Sequence, residues 1–134
     1  MSQATQASVA AGVRATIGAH TQAQDSGRND DVAALYTENA VLEMPGADPF
    51  VGREAIRAAF TGFAAQLTAP ARHLIANTVI TSWSQDEATA ESDALLVLRG
   101  ENGWGVQLVG HYKDTLRRDG DTWRFSHRDT SFLT

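Results

Sequence analysis

The chain has 134 residues, of which 43% are hydrophobic and 20% are charged, and it contains no cysteine. These values are typical of one soluble globular domain, here residues 1–134, and the lack of cysteine excludes disulfides, thiolate catalysis and cysteine-ligated zinc. The formal net charge of −5 comes without a basic stripe, which disfavours nucleic acid as a partner. No apolar run approaches the ~20 residues of a membrane span, and the first residues lack the pattern of a secretory signal, so we expect a cytoplasmic protein with no membrane partner.

The first half of the chain has mostly helical periodicity. A weak apolar stripe predicts a first helix that ends near Gln24, and its members are Val9, Val13, Ile17 and Thr21. A short second helix is predicted over residues 30–36, followed by a strand over residues 37–46 that a Pro-Gly pair ends. A third helix is predicted over residues 52–67, with a buried face formed by Ile56, Phe60, Phe63 and Leu67.

The second half of the chain is strand-like. Four runs are separated by the turn-forming sequences SQDE, GENG and RDGD, and they cover residues 72–83, 87–100, 104–118 and 121–133. Consecutive strands joined by short turns predict an antiparallel sheet. Helices first and strands second is the α+β pattern, in which the helices pack on one face of the sheet. A long curved sheet wrapped over helices leaves a cavity between the two layers.

Three motifs carry a resemblance to a known family: LYTENAVLEMP at residues 35–45, GREAIRAAF at residues 52–60 and GHYKDTLRRDGDTWRFSHR at residues 110–128. In this order they resemble the SnoaL-like branch of the NTF2-like superfamily, near its scytalone dehydratase and hexachlorocyclohexane dehydrochlorinase members. The resemblance implies a cone-shaped α+β barrel, with about three N-terminal helices packed on a curved, mostly antiparallel sheet. It also implies an apolar pocket and a homodimer or higher homo-oligomer.

A histidine stands in the strand-like stretch PARHLIANTVI, residues 70–80. With plain strand alternation, His73 and Asn77 share one face and Arg72 points to the other. Two polar side chains among aliphatic ones on a concave sheet suit a pocket wall. The alternative for His73 is a core histidine bonded to a backbone carbonyl.

The resemblance adds a partner for this histidine. Related dehydratases and dehydrochlorinases pair a strand histidine with an aspartate at the end of the first helix, and His73 and Asp25 stand at the matching positions. A carboxylate on one ring nitrogen fixes the tautomer and stabilises the imidazolium formed when the other nitrogen takes a proton. The intrinsic histidine pKa of ~6.5 suits proton abstraction at neutral pH. The alternative for Asp25 is a plain turn residue.

The resemblance also implies pocket roles for Arg128 and His20. Arg128 matches an arginine that follows the last Trp-Arg-Phe strand, where a guanidinium would stabilise a leaving group or an oxyanion. The alternative is an exposed arginine paired with Asp129 or Glu91. His20 stands where the dehydrochlorinases have a pocket lysine, which disfavours dehydrochlorination and leaves proton transfer open.

The remaining side chains expected to bind substrate are apolar or weakly polar. His111 is either a second acid or base in the pocket or an exposed strand histidine, and Tyr36 is a phenol donor. With His20 and Asn77, the predicted substrate-binding set is completed by His111, Tyr36, Phe60 and Phe132. The sequence has no HxH or HxxxH spacing, phosphate loop, dinucleotide fingerprint or nucleophile elbow, so we expect no metal and no cofactor.

These features predict a cofactor-independent lyase or isomerase that acts on an apolar cyclic small molecule. His73 would abstract a proton, Asp25 would orient the ring, and Arg128 or Asn77 would stabilise negative charge. One alternative of the same fold is an epoxide hydrolase, with Asp93 and Arg99 as candidates for its Asp–Arg–Asp set, or a polyketide cyclase. A further alternative is a non-catalytic small-molecule-binding or assembly module, in which Asp25 would point to solvent.

Overall fold

Three helices and six strands follow one another in the computed structural model, which describes residues 3–133. The helices are α1 (Gln6–Asp25), α2 (Asn29–Ala34) and α3 (Arg53–Gln66). The strands are β1 (Tyr36–Glu43), β2 (Phe50–Val51), β3 (Ala71–Trp83), β4 (Glu87–Gly100), β5 (Gly103–Asp119) and β6 (Thr122–Leu133). The predicted α+β class is confirmed.

Helix α1 begins with a capping box. The Thr5 hydroxyl accepts a hydrogen bond from the Ser8 backbone N–H (3.1 Å), and the Ser8 hydroxyl accepts one from the Thr5 backbone N–H (2.8 Å). Three members of the predicted apolar stripe are buried, namely Val9, Val13 and Ile17. The helix ends at Asp25, one residue after the predicted end, and this places the Asp25 side chain beside β3.

Helix α2 is shorter than the periodicity predicts, because contacts with β6 end it. The helix stops at Ala34, and Tyr36 already begins β1. The Leu35 carbonyl accepts a hydrogen bond from the Phe125 backbone N–H (2.8 Å), which draws the chain into the sheet. The Arg53 guanidinium then donates two hydrogen bonds, of 3.1 and 2.7 Å, to the Tyr36 carbonyl. Phe125 and Arg53 are distant in sequence from the end of α2, so local periodicity could not predict these contacts.

The six strands form one mixed sheet in the order β2-β1-β6-β5-β4-β3. The run from β3 to β6 is antiparallel, as predicted, whereas β1 pairs with β6 in parallel. Strand β2, only two residues long, was not predicted. Within residues 3–133 the sheet keeps two edges, at β2 and β3, so it does not close into the predicted barrel. No helix in the described part of the chain combines the length and apolar character that a membrane span requires.

The interior between helices and sheet contains a cluster of aromatic rings. The His20 ring of α1 lies edge-on to the rings of Tyr36, Phe60 and Phe125, with centroid distances of 5.5, 5.2 and 5.4 Å. Edge-on contacts of this kind stabilise the fold beyond the burial of the rings themselves. Truncating a buried phenylalanine typically costs about 3–5 kcal/mol, so this cluster fixes α1 and α3 against the sheet.

A β-bulge interrupts β3 at Asn77. Its φ of 59° lies in the left-handed region that asparagine tolerates better than most residues. The pairing register with β4 shifts between Ala76 and Val79. Helix α1 holds the bulge, because Arg14 Nη2 donates a hydrogen bond to the Thr78 carbonyl (2.8 Å).

The bulge reverses which side chains face the interior. His73 and Ile75 point inward before it, and Thr78 and Ile80 point inward after it. Asn77 therefore does not share a face with His73. The prediction from plain alternation was wrong at this position, because one extra residue reverses the parity of the side chains that follow, up to the second register shift between Ile80 and Ser82.

Candidate active site

A cavity of about 800 Å³ lies between the inner face of the sheet and helices α1 and α3. This volume falls within the ~300–1,000 Å³ that is usual for small-molecule sites. Most of the wall is apolar and includes Leu42, Phe60, Phe63, Leu96 and Leu108. Polar side chains interrupt it, and they include His20, Asp25, His73, Tyr112, Arg128 and Thr130. Polar groups at fixed positions in a mostly apolar wall suit an apolar ligand that is held in one orientation.

Asp25 and His73 form a two-point contact in this wall. The Asp25 Oδ1 atom lies 2.7 Å from His73 Nδ1, and its Oδ2 atom accepts a hydrogen bond from the His73 backbone N–H (2.9 Å). The two side chains are 10% and 16% exposed. A carboxylate beside Nδ1 keeps the ring proton on that nitrogen, so Nε2 of the neutral ring is left unprotonated. These two hydrogen bonds also offset the unfavourable position of a carboxylate at a helix C-terminus.

His20 and Tyr36 form a second pair, deeper in the interior. The His20 Nε2 atom lies 2.8 Å from the Tyr36 hydroxyl. Burial lowers the pKa of His20 well below its usual range, and the nearby charge of Arg128 lowers it further. Burial likewise raises the pKa of Tyr36 above its usual value. Both groups are therefore neutral in the folded protein, and His20 lines the cavity with Tyr36 behind it.

Arg128 is buried and paired with Asp114 from the neighbouring strand. Its Nε and Nη2 atoms donate hydrogen bonds of 2.8 and 3.0 Å to the two Asp114 oxygens. The guanidinium also stacks on Tyr112, 3.8 Å from the ring centroid. Burial opposes the charge, but Asp114 outweighs it and raises the pKa of Arg128 above its usual value. The alternative of an exposed arginine paired with Asp129 or Glu91 was wrong, because Arg128 is buried, pairs with Asp114 and lines the cavity.

Comparison with known families shows which family this fold belongs to. The sequence model of the SnoaL-like domain matches residues 6–129, which is almost the whole chain. The chain belongs to the SnoaL-like family. No functionally curated protein matches its sequence significantly.

Solved structures similar to this SnoaL-like domain agree with the fold. A protein from Catenulispora acidiphila in complex with S-DNPA is 25% identical, with a TM-score of 0.84 over 95% of each chain. Aln2 from a Streptomyces species is 18% identical, with a TM-score of 0.86 over 98% of this chain and 94% of its own. A "Putative Scytalone Dehydratase" from Novosphingobium aromaticivorans is 22% identical, with a TM-score of 0.78 over 92% of this chain and 83% of its own. The last two likenesses, below 25% identity, show the fold alone.

Two of the predicted substrate-binding residues lie outside the cavity of the SnoaL-like domain. The Asn77 amide donates a hydrogen bond to Asp93 Oδ2 (2.9 Å) on the outer face of the sheet. His111 lies on that same face, with Nδ1 2.9 Å from Asp93 and Nε2 2.9 Å from Glu91. Neither side chain contributes to the cavity wall, so their assignment to substrate binding is not supported. Within residues 3–133, no group of three or more His, Asp or Glu side chains is arranged to hold a metal ion.

The other predicted residues meet at the cavity or next to it. His20, Asp25, Phe60, His73, Arg128 and Phe132 line it, whereas Tyr36 is fully buried behind His20 and does not line it, so its assignment to substrate binding is not supported. Arg72 reaches the rim of the cavity, although alternation pointed it away from the pocket. The sequence prediction missed Asp114 and Thr130. Thr130 follows Arg128 at strand spacing and so was within reach of the same alternation argument.

Proposed function

We propose that this SnoaL-like domain is a cofactor-independent enzyme that moves a proton on an apolar cyclic small molecule, as a lyase or an isomerase. The observation that supports it most is the contact of Asp25 with both the ring and the backbone of His73 in the cavity wall. A carboxylate that only ends a helix would not need to be 10% exposed and bonded at two points. A histidine held in this way is suited to act as a general base.

The chemistry requires few groups. His73 Nε2 takes a proton from a substrate carbon, and the electron pair of the broken C–H bond stays on the substrate. The imidazolium formed is stabilised by Asp25 at hydrogen-bond distance. In an elimination the electron pair forms a C=C bond and expels a hydroxyl group, which takes the proton from the His73 imidazolium and leaves as water. In an isomerisation His73 returns the proton to another carbon of the same substrate.

Arg128 supports this reaction through its charge. Two of its nitrogens are taken by Asp114, and Nη1 makes no hydrogen bond with any described residue. A guanidinium fixed in this way adds positive potential at the cavity without having to reorganise during the reaction. It is suited to stabilise negative charge that develops on the substrate.

The alternatives within the fold have weaker support. Asp93 lies on the outer face with His111, so Asp93 and Arg99 do not form an epoxide hydrolase set facing the cavity. A non-catalytic binding module would leave Asp25 pointing to solvent, whereas its carboxylate is bonded to His73.

The test is proton exchange between water and a panel of cyclic ketones and alcohols. The protein is incubated with each compound in D₂O, and deuterium uptake or loss of water is followed by NMR. We expect exchange by the wild type and a loss of at least about 100-fold in His73→Asn, which is the usual contribution of a general base. The matched control is His111→Asn, which removes a histidine from the outer face of the same sheet and should keep the wild-type rate. Equal rates in the wild type and His73→Asn would contradict the proposal.

A further inference from the structure

Helix α1 lies along the edge of β3 and binds it through side-chain hydrogen bonds at two places. Within residues 3–133, strand β3 pairs with β4 only, so its other side is an edge of the sheet. At the end of α1, Asp25 binds both the ring and the backbone N–H of His73. Farther back along the helix, Arg14 Nη2 donates a hydrogen bond to the Thr78 carbonyl (2.8 Å). Side chains of α1 therefore occupy one backbone donor and one backbone acceptor of this edge.

The β-bulge at Asn77 turns the Thr78 carbonyl towards the helix. Along a regular strand, the backbone groups of successive residues point alternately to the two neighbouring strands. The His73 N–H points to the edge, so on a regular strand Thr78, at an odd spacing from it, would direct its carbonyl to β4. The extra residue of the bulge shifts the register and reverses this alternation. Thr78 thus presents its carbonyl to the edge, where Arg14 binds it.

The two contacts are separated by a similar length on both elements. From Arg14 to Asp25 the helix makes about three turns, which places both side chains on one face and about 16 Å apart along the axis. From Thr78 to His73 the strand covers about 15–17 Å, at roughly 3.3 Å per residue. A single contact would let the helix pivot about it. Two contacts at matching distances fix both the position and the direction of the helix on the strand.

The apolar packing of α1 does not fix this position by itself. Its apolar stripe packs on the sheet through non-directional contacts, which tolerate small shifts along the helix axis. The contact between Asp25 Oδ1 and His73 Nδ1 tolerates much less, because a 2.7 Å hydrogen bond that lengthens by about 1 Å is lost. Asp25 is also the last residue of the helix, where helices fray. A directional contact inside the helix is therefore needed to keep its end in place.

We propose that Arg14 is a positioning residue, which sets the place of α1 along β3 and thereby brings Asp25 into contact with His73. Arg14 does not line the cavity, so it acts through Asp25 and not on a substrate. For its effect on the reaction rate, this inference rests on the proposed function. Its effect on the contact between Asp25 and His73 is independent of any reaction.

The test compares the wild type with three variants. Arg14→Met removes the hydrogen-bond donors and keeps an unbranched apolar stem and the helical propensity. Arg14→Lys keeps a charged donor at the same position. Gln85→Ala is the matched control, because the Gln85 amide exchanges hydrogen bonds of 2.8 and 3.1 Å with the backbone of Ala4, just before the other end of α1.

Three quantities are measured on each of these proteins. The protonation of the two His73 ring nitrogens is determined by ¹⁵N NMR at about pH 8, where free histidine is neutral. The kcat and KM of deuterium exchange are measured with the same panel of cyclic ketones and alcohols. Thermal unfolding gives the melting temperature and separates a change at His73 from a general loss of stability.

We expect Arg14→Met to lose most of the wild-type preference for a proton on Nδ1 of His73. Its kcat should fall about tenfold with little change in KM, because a displacement of about 1 Å at a catalytic group costs up to about 100-fold and Arg14 does not contact the cavity. Arg14→Lys should restore kcat to within about threefold of the wild type. Gln85→Ala should keep the wild-type tautomer and rate, although its melting temperature should fall about as much as that of Arg14→Met.

Two results would overturn the proposal. The first is an unchanged His73 tautomer in Arg14→Met. The second is an equal change of the tautomer in Gln85→Ala, which would assign the effect to a general weakening of the α1 contacts.

Failure of the proposed function gives a different pattern. If Arg14→Met alters the tautomer but the wild type exchanges protons on no compound, the proposed function fails and the positioning role stands. If the wild type exchanges protons and Arg14→Met does so at the same rate with the same tautomer, the positioning role fails and the proposed function stands.

Discussion

Two aspartate–histidine pairs lie at opposite faces of the same sheet, and they differ in how many ring nitrogens of the histidine are already hydrogen-bonded. On the inner face, Asp25 holds Nδ1 of His73 and leaves Nε2 to the cavity. On the outer face, Asp93 holds Nδ1 of His111 and Glu91 holds Nε2. A histidine with one carboxylate has a fixed tautomer and a nitrogen that can accept a proton. A histidine between two carboxylates has no nitrogen left for a substrate.

The electrostatic effects differ in the same way. Hydrogen bonds from Asp93 and Glu91 raise the pKa of His111, because they stabilise its charged form. Burial lowers the pKa of His20 in the interior, and the charges of Arg128 and His73 lower it further. The position of a histidine in this fold therefore decides whether its pKa shifts in favour of the charged form, as at His111, or of the neutral form, as at His20. Residue type alone does not distinguish the two.

The largest expected difference between the faces concerns their ion pairs. Asp114→Asn leaves Arg128 buried without a counter-charge, and we expect it to lower the free energy of unfolding by about 3–5 kcal/mol. Glu87→Gln breaks the exposed contact with Arg117 and should cost less than about 1 kcal/mol. Urea denaturation of the two variants measures both values. If Asp114→Asn lowered the free energy of unfolding as little as Glu87→Gln, Arg128 would have to be solvated in the folded protein.

The second prediction compares the two aspartates. Asp25→Asn removes the carboxylate that fixes His73, and we expect it to reduce proton exchange on a responsive ketone by about 100-fold or more. Asp93→Asn makes the same change beside His111 and should keep the wild-type rate. NMR in D₂O gives both rates, and thermal unfolding checks that both variants fold. Equal losses would mean that the carboxylates act on stability and not on the reaction.

A smaller effect is expected from the Thr130 hydroxyl, which has no hydrogen-bond partner among the described residues. Thr130→Val replaces a buried hydroxyl that lacks a partner and should raise the free energy of unfolding by up to about 1 kcal/mol. Thr81→Val on the exposed surface, where the hydroxyl bonds to that of Thr89, should change it little. Urea denaturation without ligand compares them. Destabilisation by Thr130→Val beyond that of Thr81→Val would indicate that the hydroxyl has a partner in solution.

The smallest predicted effect is a pH dependence from the outer face. Because the folded-state pKa of His111 is raised, its stabilising contribution is fully present below the unfolded value of ~6.5 and is lost as the pH rises through the folded value. The wild type should therefore exceed His111→Gln in melting temperature by more at about pH 5.5 than at about pH 8.5. The effect is small because the partners are partly exposed and salt screens them. A difference that grows with pH would have the wrong sign.

The elements of the fold follow from the sequence because hydrophobic periodicity is local. Helix α3 was predicted to within one residue at each end, and its inward face contains Ile56 and Phe60 as expected. The bulge at Asn77 was not predicted from alternation, and the structure shows it. Ile75 and Ile80 both pack against the core although they are five residues apart. An odd spacing between two inward residues requires an extra residue between them.

The candidate site was less accessible to sequence reasoning, because it depends on long-range register. Counting outward from the Asp-Gly turn pairs Arg128 with Lys113. A register shift in the hairpin moves Arg128 opposite Asp114 instead, and this creates the buried ion pair. Asp25 and His73 are 48 positions apart, and only the resemblance to a family suggested the pair. The sequence could supply the residue types but not their contacts.

The most direct test of this account is the protonation of His73 in the folded protein. ¹⁵N NMR of the histidine rings at about pH 8, where free histidine is neutral, distinguishes the two tautomers. We predict a protonated Nδ1 and an unprotonated Nε2 for His73, with the tautomer preference lost in Asp25→Asn. A proton on Nε2 of His73 in the wild type would contradict the account, because no base would then face the cavity.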